Sequence, residues 1–145
     1  MKTLLVCLVF ILSSFTVPAW QHNLDKARQQ AVAEHKYILL NFSGSDWCGP
    51  CIRMHKEIFD TDAFTVMAEK KLVLVNADFP RLKKNQLPKE QQQLNDKIAD
   101  AYNRKGDFPL TVLLRSDGSV VKSWEGFPKM TTEAFIADIE SAMGQ

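Results

Sequence analysis

The chain has 145 residues, 46% of them hydrophobic and 24% charged, with 18 basic against 17 acidic side chains. That is the size and composition of one globular domain with an ordinary core, and it excludes a disordered, repetitive or low-complexity polymer. A formal net charge of +1 argues against a nucleic-acid partner, which would call for a strongly basic face.

Met1 to Ala19 begins with Lys2, runs through apolar Leu4 to Leu12 and ends Val17-Pro18-Ala19. This is the pattern of a secretory signal peptide cut after Ala19. The apolar run is shorter than the roughly 20 residues that span a bilayer, so cleavage is expected rather than a retained anchor. Cys7 lies inside that run without the small preceding residue of a lipoprotein site, which argues against lipidation. The domain expected after cleavage is residues 20–145, with 17 basic and 17 acidic residues and two cysteines, Cys48 and Cys51. Such a pair in an exported protein can be a structural staple. A loop spanning three positions removes little unfolded-state entropy, however, so redox activity is the better account.

Asn23 or its neighbour can cap a helix through Leu24, Ala27, Ala31 and Val32 to about His35, with the apolar members on one face. His22 and His35 read as surface residues. The run Tyr37-Ile38-Leu39-Leu40-Asn41-Phe42 is apolar, aromatic and of strand length. After the polar turn Ser43-Gly44-Ser45-Asp46, in which Asp46 reads as a solvated residue, Ile52, His55, Ile58 and Phe59 recur at helical spacing. Cys48 and Cys51 therefore sit where a strand hands over to a helix.

Cys48 falls at about the N-cap, with Gly49 and Pro50 in the first turn, where a missing proline N–H costs nothing. Positions i and i+3 share a helix face about 5 to 6 Å apart, within the separation a disulfide tolerates. The orphan amides of the first turn, that of Cys51 especially, point toward the Cys48 sulfur and favour thiolate over thiol. A free thiol with pKa about 8.5 is a few per cent ionised at pH 7. A pKa lowered to about 7, a change of roughly 2 kcal/mol, leaves half of it ionised. Cys48 is thus the expected nucleophile and Cys51 the resolving cysteine.

The pentapeptide Trp47-Cys48-Gly49-Pro50-Cys51, in this strand-to-helix setting, resembles the active site of thioredoxins. Further along, Thr61 to about Lys70 reads as a helix and Lys71 to Ala77 as a buried strand. A strand, helix, strand series of this length implies a right-handed parallel crossover. Phe79 to about Gln93 carries two prolines and four basic residues and reads as a surface loop, either a solvated insertion or a specificity element for a partner. Leu94, Ile98, Ala101 and Tyr102 give a helical stripe ending near Gly106. Leu110 to Leu114 and Ser119 to Trp124 read as a hairpin across Arg115-Ser116-Asp117-Gly118, and Thr131 or Thr132 opens a last helix that buries Phe135, Ile139 and Met143.

This order matches an α/β thioredoxin-like fold, a central mixed sheet flanked by helices on both faces. The resemblance covers most of residues 24–143, without the first edge strand of larger thioredoxins. It implies that the Tyr37 strand is central, flanked by the Leu72 and Leu110 strands, with the Ser119 strand at an edge. It implies further that Pro109 is the cis-proline facing the dithiol and that Gly126 lets substrate approach. The Phe108 backbone would pair with a client peptide while its ring narrows the groove, or Phe108 would be plain core. Trp47 would shield the cysteines, with Gly49 and Pro50 tuning them.

Two departures stand out. Asn41 falls where many thioredoxins place a buried carboxylate that moves protons for the resolving cysteine, and Leu74 falls where that carboxylate's basic partner would be. An amide cannot take a proton near neutral pH, which leaves water or an exposed group such as Asp46. The implied activity is reduction of protein disulfides by a Cys48–Cys51 dithiol outside the cytoplasm. No cofactor or metal is implied. The implied partners are disulfide-containing clients and a membrane thiol-transfer electron donor, with the protein acting as a monomer. An oxidase or isomerase of the same fold is the alternative, followed by a copper-delivery module using Cys48, Cys51 and His55.

Overall fold

The computed structural model describes residues 17–144; apart from its last three positions, the leader expected over Met1 to Ala19 lies outside the described residues. Strand β1 (Tyr37–Ser43) is the hub of the sheet. It pairs in parallel with β2 (Leu72–Asp78) on one side and antiparallel with β3 (Leu110–Leu114) on the other. β3 pairs antiparallel with β4 (Val120–Glu125), giving the order β2-β1-β3-β4 expected from the resemblance. Around the sheet lie α1 (Leu24–Glu34), α2 (Gly49–Met54) running on into a π turn at His55–Phe59, α3 (Asp62–Lys71), α4 (Lys89–Tyr102) and α5 (Thr132–Met143).

Because side chains alternate along a strand, β1 feeds two cores at once. Ile38, Leu40 and Phe42 pack with Ala27 and Ala31 of α1 and Ile98 of α4. Leu39 points to the opposite face, where Met54, Ile58 and Phe59 after the cysteines meet Phe64 of α3 and Phe135 and Ile139 of α5. Asn41 and Ser43 share the parity of Leu39, so β1 carries two polar side chains to the face covered by α2. Asn23 and Thr131 cap as read from the sequence, accepting from the amides of Lys26 and Ala134, and Thr61 caps α3 by accepting from the Phe64 amide.

Several details depart from the periodicity. α4 begins at Lys89, directly after Pro88, so the loop expected to reach Gln93 ends several residues sooner and contains a short 3-10 turn at Lys83–Asn85. Its first turn is Lys-Glu-Gln-Gln, good helix formers without an apolar stripe. On that helix Asn95, not Ala101, is buried: its Nδ2 donates to the Asp78 carbonyl at 2.8 Å, and its Oδ1 accepts from Gln91. Val32 and Ile52, placed by spacing on apolar faces, stand half exposed or more. In place of a first edge strand, Gln21 alone bridges the outer side of β2, accepting from the Asn76 amide and donating to the Leu74 carbonyl, each at 2.9 Å.

Candidate active site

β1 ends at Ser43, and the chain turns over Gly44, whose carbonyl accepts from the amides of Trp47 and Cys48. A side chain at Gly44 would overlap the Trp47 indole, so the turn needs glycine for a close approach. Cys48 is the N-cap of α2, with Pro50 in the first turn. The Cys51 amide donates to the Cys48 sulfur at 3.3 Å, the contact expected from capping geometry. The two sulfurs are joined in a disulfide with Cα atoms 5.2 Å apart, and both cysteines are buried in this form.

The three residues expected to hold substrate lie together. The Phe108–Pro109 peptide is cis, Pro109 is buried, and the Pro109 carbonyl accepts from the Gly126 amide at 2.8 Å. Gly126 has φ +73 and open space around it, so its glycine is required by backbone conformation rather than by crowding. Trp47 joins this group to the cysteines: its ring meets that of Phe108 edge-on at 5.4 Å, and its Nε1 donates to the Phe79 carbonyl at 2.8 Å. Phe79 in turn meets Phe108 at 5.6 Å, and the Arg81 guanidinium lies 3.6 Å over the Trp47 ring.

Asp46, read as a solvated turn residue, also makes specific contacts. Its carboxylate accepts from the backbone amides of Arg81 and Leu82 and from Asn85 Nδ2, all within 3.0 Å. These bonds, led by that from the Arg81 amide, hold its pKa below the usual carboxylate value. The residue tethers the loop after β2 to the active-site turn. Asp78 is similarly engaged, accepting from the Ser45 amide, the Ser45 hydroxyl and the Ser43 hydroxyl.

Beneath α2 the sheet carries a polar row. The register sets Asn76 of β2, Asn41 of β1 and Thr111 of β3 side by side. Thr111 Oγ1 donates to Asn41 Oδ1 at 3.3 Å, and Asn41 Nδ2 donates to Asn76 Oδ1 at 3.1 Å. Asn41 Nδ2 also faces His55 Nε2 at 3.4 Å. The imidazole is packed between Trp20 and Phe59, with ring centroids 5.3 and 5.2 Å away. Burial pushes its pKa below the ordinary 6.5, against the opposing pull of the Asp60 and Asp78 carboxylates. A cavity of about 390 Å³ opens here, lined by Cys51, Ile52, His55, Ser43 and Asn76 among others. The sequence marked Asn41 as a departure and gave His55 only a minor part; the signal for both was there in the even spacing of Leu39, Asn41 and Ser43 and the four-residue step from Cys51 to His55.

Two outcomes follow from these contacts. Asp46→Ala should leave the Cys48–Cys51 disulfide able to form but speed amide exchange at Arg81 and Leu82 by roughly tenfold or more; unchanged exchange would mean the loop is held by other contacts. For His55 the unfolded chain binds the proton more tightly than the folded one, so stability is full above pH 6.5 and declines as pH falls from 6.5 toward the lower folded value. Denaturant melts of the oxidised protein should show that decline, and His55→Gln should remove it.

A family model described as thioredoxin-like matches residues 19–116. The chain is 34% identical over 118 residues to the "Disulfide bond reductase DsbH" of Chlamydia pneumoniae, covering 81% of this chain and 69% of that protein. A solved structure of a "DsbH Oxidoreductase" superposes with a TM-score of 0.80 at 28% identity, over 99% of this chain and 95% of the other. A disulphide isomerase from Xylella fastidiosa Temecula1 superposes at 0.61 with 20% identity, over 90% of this chain and 99% of its own, a likeness that speaks to fold alone. With this match and the paired cysteines at a helix start, the chain belongs to the thioredoxin-like family and is a thiol-disulfide oxidoreductase.

Proposed function

We propose that this protein reduces disulfides of exported client proteins, with Cys48 as the attacking sulfur and Cys51 as the resolving one. The observation that carries the reading is the Cys51 amide 3.3 Å from the Cys48 sulfur at the start of α2, a donor that stabilises a thiolate more than a thiol. In the first step the Cys48 thiolate attacks one sulfur of a client disulfide. The client S–S bond breaks, one client sulfur leaves as thiolate, and a mixed disulfide to Cys48 forms. In the second step Cys51 attacks Cys48 Sγ, expels the other client sulfur and closes the Cys48–Cys51 bond. The client gains two electrons and two protons, and the dithiol loses them; the electrons reside on the cysteines, so the reaction needs no cofactor.

The reductive direction is supported by the Gly49-Pro50 dipeptide, which resembles that of thioredoxins, and by the name of the relative from Chlamydia pneumoniae. Phe108, Pro109 and Gly126 serve as the substrate surface, with an extended client peptide adding to the Phe108 backbone in a short form of strand addition. The Trp47 and Phe108 rings bound that groove, and Gly49 and Pro50 set the helix start. The leader over Met1 to Ala19 supports work in the periplasm or outside the cell, where a reductant needs a membrane thiol-transfer protein to return it to the dithiol state. The protein acts as a monomer. Copper delivery through Cys48, Cys51 and His55 has less behind it, because the His55 ring packs between Trp20 and Phe59 with its Nε2 facing Asn41.

Cys51→Ser removes the resolving sulfur and should accumulate clients as mixed disulfides on Cys48 in the native host; an empty trap would overturn exchange chemistry. The dithiol should equilibrate with glutathione or a reference thioredoxin at about −270 mV, near thioredoxin itself. A value near the roughly −120 mV of a strong oxidant, or the about −180 mV of an isomerase, would reverse the assigned direction.

A further inference from the structure

The resolving step has a requirement that the cysteines do not meet themselves. Cys51 is 1% exposed, burial in apolar surroundings favours thiol over thiolate, and the thiol must lose its proton before or as it attacks. Its neighbours offer few acceptors. Asn41, Asn76, Ser43 and Ser45 do not titrate near neutral pH. Asp46 and Asp78 are held by three donors each. Asp60 lines the same cavity but follows the π turn, nine positions after Cys51. His55, half-buried on that cavity, is one helical turn from Cys51, its amide donating to the Cys51 carbonyl.

The hydrogen bonds fix which ring nitrogen is available. Thr111 donates to Asn41 Oδ1, which turns the Asn41 amide nitrogen toward Asn76 Oδ1 and His55 Nε2. The single Ser43 hydroxyl hydrogen is shared between Asn76 Oδ1 at 3.1 Å and Asp78 Oδ1 at 3.3 Å. With the Asn41 amide nitrogen toward it, Nε2 bears the lone pair and Nδ1 the proton, and the 3.4 Å contact to Asn41 is long enough for a proton from the cavity to displace it. Burial favours that neutral ring at pH 7, while Asp60 and Asp78 lie close enough to stabilise the cation once it forms. When Nε2 gains a proton, Asn41 keeps Thr111 and Asn76 as partners, and the new N–H is left to water in the cavity.

We propose that His55 is the proton acceptor for Cys51 in the resolving step, taking the thiol proton at Nε2 through water in the shared cavity while Cys51 Sγ attacks Cys48 Sγ. The step balances: the Cys48–client S–S bond breaks, the Cys48–Cys51 bond forms, the client sulfur leaves with the electron pair, and the proton on His55 passes to it or to solvent. His55 thereby does the work that a buried carboxylate on β1 would do. The proposal rests on the reading of Cys48 as attacker and Cys51 as resolver.

A chromogenic aryl disulfide tests both readings in one stopped-flow trace, because attack by Cys48 releases one aryl thiol and resolution by Cys51 releases the second. In the reduced wild-type protein the second phase should rise with pH through an inflection at or below 6.5. His55→Gln, which keeps a polar partner for Asn41, should lose that inflection and slow the second phase by about 100-fold at pH 7, with the first phase within about twofold of wild type. A second phase that keeps the wild-type rate and profile in the variant overturns the role of His55 alone, as does equal slowing of both phases. Absence of a first phase in the wild type overturns the attacker-and-resolver reading beneath it. Should His55→Gln not fold, a ring-nitrogen NMR titration of the wild type decides instead: a His55 pKa that differs between dithiol and disulfide forms supports the proposal, and one identical in both overturns it.

Discussion

A single backbone amide, that of Cys51, aimed at the Cys48 sulfur from 3.3 Å, is the contact around which the rest of the molecule is arranged. α2 is only six residues long before it widens into the π turn, but the field of a helix end falls off within its first turn, so a short helix serves as well as a long one. A hydrogen bond to a charged group contributes about 1.5 to 3 kcal/mol, which covers the roughly 2 kcal/mol needed to bring a thiol pKa from about 8.5 to about 7. The nearby Asp46 charge works against this. Three donors draw that carboxylate toward the loop, and the Arg81 guanidinium lies over the neighbouring Trp47 ring.

The loop after β2 is therefore part of the active site rather than an appendage to it. Asp46 binds its backbone, Trp47 donates to the Phe79 carbonyl, and Trp47 and Phe79 each meet Phe108 edge to face. Aromatic pairs of this geometry add about 0.5 to 1.5 kcal/mol each beyond their burial. The result is a fixed apolar wall beside the cis Phe108–Pro109 bond. A loop tethered at several points presents its Arg81, Lys83 and Lys84 in a defined place.

The elements legible in the sequence were those whose signal is local. Asn23 and Thr131 cap the helices they were expected to open, Cys48 sits at the N-cap, and the strand order follows once the Cys-Gly-Pro-Cys setting is recognised. The start of α4 was hidden because its first turn is polar on every side and carries no apolar period. Val32, Ile52 and Ala101 were misplaced because spacing gives a face but not the width of the neighbour that covers it. Asp46 looked idle because its partners are some 35 positions away. The polar row was illegible for a related reason: Asn76, Asn41 and Thr111 become neighbours only through the register of three strands.

That row also explains why an amide can stand on β1 where a carboxylate is common. Burying a polar group without partners costs several kcal/mol, but Asn41 at 0% exposure is satisfied on both sides, by Thr111 and by Asn76. A carboxylate in its place would face the Asn76 oxygen as another acceptor, and its charge beside an emerging Cys51 thiolate would raise the energy of both. The neutral row avoids that repulsion and leaves one titratable ring, His55, against Asn41. The price of that arrangement is a strict one: the imidazole must stay neutral at rest and become cationic in passing. Its aromatic neighbours Trp20 and Phe59 favour the first condition, and the carboxylates of Asp60 and Asp78 favour the second.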